Sequence, residues 1–295
     1  MVDTRIIAHE FDFMSPARVS EVLDLLERYG AKAKIMAGGT DLLVLLKMER
    51  IVPEVVINVM KITELDYIKE EKGLRIGATT KLSRIRDYCA KEKKYAALHD
   101  AISVLGKPQV WNMGTMAGNL CNASPAADTV PPLLVYDGRV KLLGKSGERT
   151  LGLEEFFKGV NRTALAEGEL LVEIQTESLS ERTGSAFMKM ARVGADISKV
   201  TCAVAVERDG NRCTVCRIAL GAVAPVPLRA KGAEGLIQGT EVDEGVLVKA
   251  SRQVAREVSA IDDVRSTAEY RRDVAKILFR DVFTKAWRRA AGEEA

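Results

Sequence analysis

With 295 residues and 47% hydrophobic content, the chain has room for about two domains, each with a core of its own. Its 44 Lys and Arg against 41 Asp and Glu leave a formal charge of +3, too even a balance for a nucleic-acid binder or a protein held on an anionic membrane. Residues 1–14 contain no apolar signal core, and no run approaches the roughly 18 apolar residues that cross a bilayer. A cytoplasmic protein with reduced thiols is expected, because five cysteines are an odd number in a long chain without export signals.

In chain order, residues 11–13 read as a short strand, and Ser15-Pro16 as a helix start with Ser15 at the cap and Pro16 at the first helical position. Val19, Val22, Leu23, Leu26 and Tyr29 keep to one helical face that ends at Gly30. Residues 33–37 form a strand that runs into Gly38-Gly39-Thr40-Asp41 and then a helix over 42–48. Strand, glycine turn and helix together make a phosphate-binding geometry, because the glycines let the backbone approach and the helix start offers free N–H groups. The same turn also serves plain chain reversal, and it is neither a Walker loop nor a G-x-G-x-x-G fingerprint. A strand over 55–59 and a hairpin of 65–68 with 74–77 follow, then helices over 82–94 and 98–105.

Residues 114–132, GTMAGNLCNASPAADTVPP, make a poor helix and a poor strand and are expected to form a long loop. Gly114, Ala117 and Gly118 around Thr115 and Asn119 are small enough for a flat or anionic ligand to lie on backbone N–H groups. Asn122, Ser124, Pro125, Asp128, Pro131 and Pro132 fix turns and set amide, hydroxyl and carboxylate groups where they can bond a sugar. Long loops in compact domains are usually functional or disordered. The apolar run over 133–136 follows at once and speaks against disorder.

Further segments come at 133–137, 139–143 and 154–157, with a strand at 170–175. The polar run over 178–184 marks a domain boundary, giving domains 1–177, with parts of about 1–58 and 59–177, and 178–295. Residues 186–190, 199–208 and 213–222 read as an antiparallel sheet, the last two joined across Asp209-Gly210. Helices over 244–258 and 268–289 follow, the second with Val274, Ile277, Leu278 and Val282 on one face for packing on the sheet. The class is α+β. His9 and His99 have no Ser or Cys in a recognisable frame, so no nucleophile triad is expected. Cys213 and Cys216 would face opposite sides of a strand with no second pair, so neither zinc nor an iron–sulfur cluster is expected.

The blocks Ala37-Gly38-Gly39-Thr40-Asp41, Thr115-Met116-Ala117-Gly118-Asn119 and Asn122-Ala123-Ser124-Pro125 with Asp128 resemble the FAD-binding medium subunit of the molybdenum hydroxylases. That family includes the carbon monoxide dehydrogenase medium subunit and the flavin domain of xanthine dehydrogenase. The likeness continues through residues 75–80, 170–174, 192–197 and 265–271. It implies a two-part FAD-binding domain of the vanillyl-alcohol-oxidase/PCMH type, followed by a C-terminal antiparallel sheet packed with helices. By the same resemblance Ala37 to Asp41 cradle the FAD pyrophosphate, and Thr115 to Asn119 bind the diphosphate and ribityl region from the other side. Asp128 matches a carboxylate that bonds sugar or ribityl hydroxyls. Leu171 and Lys189, with Met188 as the alternative to Lys189, match positions near the adenine and isoalloxazine. Leu105 falls where the family sets a residue against the isoalloxazine ring, and Ala117 stands where relatives commonly have glycine.

The resemblance implies an electron-transfer flavoprotein subunit with no catalytic residue or metal ligand of its own. A large molybdopterin subunit would act on the substrate, a small subunit with [2Fe-2S] clusters would pass electrons to FAD here, and NAD+, a quinone or another acceptor would take them. The arginines of the last helix would serve subunit contacts or form an ordinary solvated face. Two alternatives stand beside this reading. A self-sufficient flavin-dependent reductase of the same superfamily would need acid–base residues at the flavin, and a cofactor-free assembly subunit would have no use for intact glycine turns and Asp128.

Overall fold

The computed structural model describes residues 7–293; residues 1–6, part of the stretch in which no signal core is expected, lie outside the described residues. A small parallel sheet comes first, in the order Asp12–Met14, Val55–Asn58, Ala33–Met36. Parallel neighbours need crossovers, and the helices Val19–Tyr29 and Leu42–Lys47 supply them. Val22, Leu23 and Leu26 bury the inner face of the first helix. That helix starts later than Ser15-Pro16 suggests. The Glu21 carboxylate accepts the N–H groups of Ala17 at 3.0 Å and Arg18 at 3.3 Å, which makes Arg18 the cap.

The second sheet has five antiparallel strands, in the order Ile68–Glu70, Leu74–Gly77, Leu170–Gln175, Arg139–Gly144, Gly147–Gly152. Its central strand is buried almost throughout, which is why it reads as a continuous apolar run rather than an alternating one. Glu173 interrupts that run. Its carboxylate takes two hydrogen bonds from Arg75, at 3.0 and 2.9 Å, one from Gln175 at 2.6 Å, and one from the Tyr67 hydroxyl. Helices Leu82–Cys89, Ala96–Val104, Pro108–Met113, Met116–Asn122, Val130–Val135 and Leu153–Phe156 belong to this part, with a small hairpin of Phe157–Gly159 and Arg162–Thr163. The helix expected over 82–94 therefore stops at Cys89, and 133–137 belongs largely to a helix.

The C-terminal sheet is antiparallel, in the order Gly184–Met190, Val200–Asp209, Arg212–Gly221, Leu228–Arg229. The helix Ala268–Ala290 packs on it through Val274, Leu278, Phe279, Val282 and Phe283. Ile277 departs from expectation: at 63% exposure it lies on the outer side, while Arg271 and Ala275 fill the buried stripe. Helices Lys231–Ile237 and Glu244–Glu257 finish the layer. Cys213 and Cys216 do not face opposite ways. The pairing shifts between Glu207 with Val215 and Arg208 with Cys213, so the strand carries one extra residue and both thiols enter the same core.

Ser185 fastens the two parts together. Its hydroxyl lies 2.7 Å from the Tyr136 hydroxyl, donates to the Lys94 carbonyl at 2.9 Å and accepts from the Ala97 N–H at 3.1 Å. Arg289 adds bonds to both Asp100 oxygens and to the Ser185 carbonyl. Among the described residues no helix is long and apolar enough to cross a membrane.

Burial alone would push the Glu173 carboxyl up, but the bonds from Arg75, Gln175 and Tyr67 outweigh it and hold the group below its ordinary value of 4.5. A lowered folded pKa stabilises fully above the unfolded value and loses that contribution as pH falls through the folded one. Glu173→Gln should cost about 1.5–3 kcal/mol at neutral pH, and the gap to the parent should narrow as pH drops below 4.5. Denaturant unfolding across that range checks this, and a gap that is constant with pH contradicts it.

Candidate functional site

The strand Ala33–Met36 delivers Ala37 and the glycine turn to the start of the helix Leu42–Lys47. Gly39 has φ +72°, a conformation that side chains disfavour. Gly38 is constrained differently: a Cβ there would stand 1.9 Å from the Met113 carbonyl oxygen and 2.7 Å from Gly114 Cα. The two turns thus meet backbone against backbone. Beyond them the carbonyls of Gly39 and Asp41 accept from Leu43, Val44 and Leu45, while the N–H groups of Gly39, Thr40 and Asp41 donate to no described protein acceptor.

The facing turn is not the loop its composition suggests. Thr115 caps a short helix, Met116–Asn122, its hydroxyl accepting the Gly118 N–H at 3.0 Å. Leu82 N–H on the Gly114 carbonyl, and Arg86 stacked 4.6 Å over the Trp111 ring, hold the approach to this cap. Pro131 and Pro132 sit in the first turn of Val130–Val135, where missing N–H groups cost nothing.

Between the turns lies a cleft of about 300 Å³. Ala37, Gly38, Gly39, Thr40 and Asp41 line it, as do Thr115, Ala117, Gly118, Asn119, Leu105 and Leu171. Three of the expected residues do not. The Met116 side chain points into the core, 1% exposed. Asp128 and Lys189 are engaged with each other, Nζ to Oδ2 at 2.7 Å, with the Ser198 hydroxyl on the other carboxylate oxygen at 2.5 Å. Burial pushes the Asp128 carboxyl up against the pull of Lys189 and Ser198. Asn122, marked in the sequence for bonding a sugar, lines the cleft too, and so does Cys121, which sequence reasoning passed over; three and four positions beyond Gly118, they share its helical face. Leu165 and Glu169 line it as well, and no local signal announces them.

Residues 9–176 match the family model described as the FAD binding domain in molybdopterin dehydrogenase, and residues 185–286 match the CO dehydrogenase flavoprotein C-terminal domain. This chain belongs to that family. It is similar to the carbon monoxide dehydrogenase medium chain of Hydrogenophaga pseudoflava, 30% identical over 97% of this chain and 100% of that one. The xanthine dehydrogenase FAD-binding subunit of Escherichia coli O157:H7 is 29% identical over 96% of this chain and 99% of its own length. Among solved structures, carbon monoxide dehydrogenase from Hydrogenophaga pseudoflava superposes with a TM-score of 0.90 at 31% identity, covering 96% of this chain and 99% of that one. Quinoline 2-oxidoreductase from Pseudomonas putida 86 gives 0.89 at 27%, covering 97% and 99%. The chain is therefore an FAD-binding subunit of the molybdenum hydroxylase type, part of an oxidoreductase. The cleft fits the cofactor on its own chemistry: unpartnered N–H groups and side chains of minimal bulk suit phosphate oxygens.

Gly38→Ala should destabilise the chain by more than the roughly 1–3 kcal/mol of ordinary overpacking, because the added carbon meets backbone rather than a movable side chain. Denaturant midpoints measure this, and an alanine variant as stable as the parent contradicts the close approach.

Proposed function

We propose that this subunit carries electrons from the [2Fe-2S] clusters of a small partner subunit, through its FAD, to an acceptor such as NAD+ or a quinone. A large molybdopterin subunit supplies the electrons, and the complex works in the cytoplasm. The observation that carries this reading is the meeting of two small-residue turns, distant in sequence, around one cleft. Ala37 to Asp41 hold the pyrophosphate with their N–H groups, and Thr115 to Asn119 hold the diphosphate and ribityl region from the opposite side. Leu105 and Leu171 give the ring systems apolar contact. FAD, when bound, supplies the redox chemistry, and this chain supplies position and electrostatics. The chain divides into 1–177 and 178–295 at the polar run over 178–184.

Asp128 and Lys189 have a place in this reading. Thr129 donates to Asn119 Oδ1 at 2.7 Å, holding the Asp128 segment against the cleft helix. Lys189 Nζ lies 3.5 Å from the Val104 carbonyl, one residue before Leu105. Lying beyond Asn119 and Leu105, this pair would hold the hydroxyl-bearing part of the cofactor, Asp128 as the acceptor and Lys189 as the cation.

Gly118→Val should abolish stoichiometric FAD, because its added Cβ stands 4.0 Å from Ala37 across the cleft and 3.1 Å from the Thr115 cap hydroxyl, which must shift; retention of flavin refutes the site. Asp128→Ala should weaken FAD retention by about 1.5–3 kcal/mol. It should also destabilise the fold by about 3–5 kcal/mol, since Lys189 is left buried and unpaired. Unfolding curves of the FAD-free variant separate the two effects. The electron route is tested by mixing the purified yellow subunit with its reduced iron–sulfur partner. Bleaching of the flavin absorbance is expected, and a flavin that stays oxidised refutes the route.

A further inference from the structure

A second concavity of about 590 Å³ opens where the strand Gly184–Met190 passes the end of the helix Ala96–Val104. Val104, Met188, Met190, Val193 and Leu278 give it an apolar lining. It adjoins the cofactor cleft: Val104 faces the groove, Leu105 faces the cleft, and Lys189 lines the groove with its ammonium group 2.7 Å from Asp128.

We propose that this groove seats the electron acceptor, and that the acceptor it suits is a flat, uncharged molecule of the quinone class rather than a nicotinamide dinucleotide. The inference rests on the FAD reading above, and the chemistry of the walls carries it further. A dinucleotide brings a pyrophosphate, which needs free cations or free N–H groups. Each of the three cations lining the groove is already paired, Lys189 with Asp128 at 2.7 Å, Arg192 with Asp196 at 2.6 Å and Lys285 with Asp100 at 3.3 Å. No helix N-terminus is among the lining residues. The helix end that does reach the groove is the C-terminus at Ser103 and Val104, whose carbonyl dipoles repel anions. The cofactor cleft shows the contrast, with its unpartnered N–H groups and little side-chain bulk.

The same walls favour a quinone. Methionine sulfur is polarizable and adapts to an aromatic face, and Met188 and Met190 supply two such groups. Fully reduced FAD would supply the two electrons and two protons that turn the quinone into the quinol and would itself end oxidised.

The test uses the full chain with menadione and NAD+ as probes. Calorimetry on the FAD-free chain should show saturable menadione binding and none for NAD+. With FAD restored and photoreduced under anaerobic conditions with EDTA as the electron donor, flavin reoxidation should saturate with menadione. Met190→Glu should raise the half-saturating concentration about tenfold or more by placing charge in an apolar wall, and Val193→Glu, at an exposed position that spares the fold, should raise it in the same direction. Ferricyanide reoxidation and FAD content should not change. Variants whose menadione curves superimpose on the parent, or NAD+ that binds the FAD-free chain and displaces menadione, overturn the proposal. A chain that takes up no FAD at all defeats the cofactor reading, and calorimetry then still decides the groove.

Discussion

The contact on which the molecule turns is Gly38 lying against the backbone of Met113 and Gly114. No side chain stands between these two stretches of polypeptide, and beside their contact the N–H groups of Gly39, Thr40 and Asp41 donate to no described protein acceptor. Close approach sets the width of the cleft. Any residue larger than glycine there would part the turns and widen the cleft. Glycine's permissiveness at Gly39 and its lack of bulk at Gly38 are thus two separate demands within a single turn.

Around that contact, polar side chains fix the cleft's walls from behind. The Glu173 cluster anchors the strand that carries Leu171, and the Thr115 cap closes the helix that carries Gly118 and Asn119. Asp128 and Lys189 form the third support, an ion pair with both members 6% exposed. A buried pair of this kind contributes little net stability over an apolar equivalent. Its value is positional, because it holds a strand of the C-terminal sheet to a segment beside the cofactor cleft.

Much of this was legible in the residues. The α+β class, the central strand Leu170–Gln175 and the strand–glycine–helix unit at Gly38 follow from short apolar runs bounded by turn residues. The helix Met116–Asn122 was not legible, because Gly118, Asn119 and Asn122 are poor helix formers; a cap and the burial of Met116, Ala117 and Leu120 make up the difference. Cys213 and Cys216 were set on opposite faces because a strand alternates, and one extra residue in the register reversed that. Ile277 was assigned to the buried face although the stripe runs through Val274, Ala275, Leu278 and Phe279. The engagement of Asp128 with Lys189, 61 residues apart, has no local signature at all. Periodicity reports which face of an element is wet, and it cannot report which charged group will find which partner.

The seam between the two parts has an evolutionary consequence. Asp100 with Arg289, Asp128 with Lys189 and Tyr136 with Ser185 each take one member from either side of the polar run, and each is at least partly withdrawn from water. Recombination that joined the front of this subunit to the back of a relative would have to inherit all three couples intact, or strand a charge or hydroxyl without its mate. Neither half can therefore be exchanged alone without also replacing its partners in these couples.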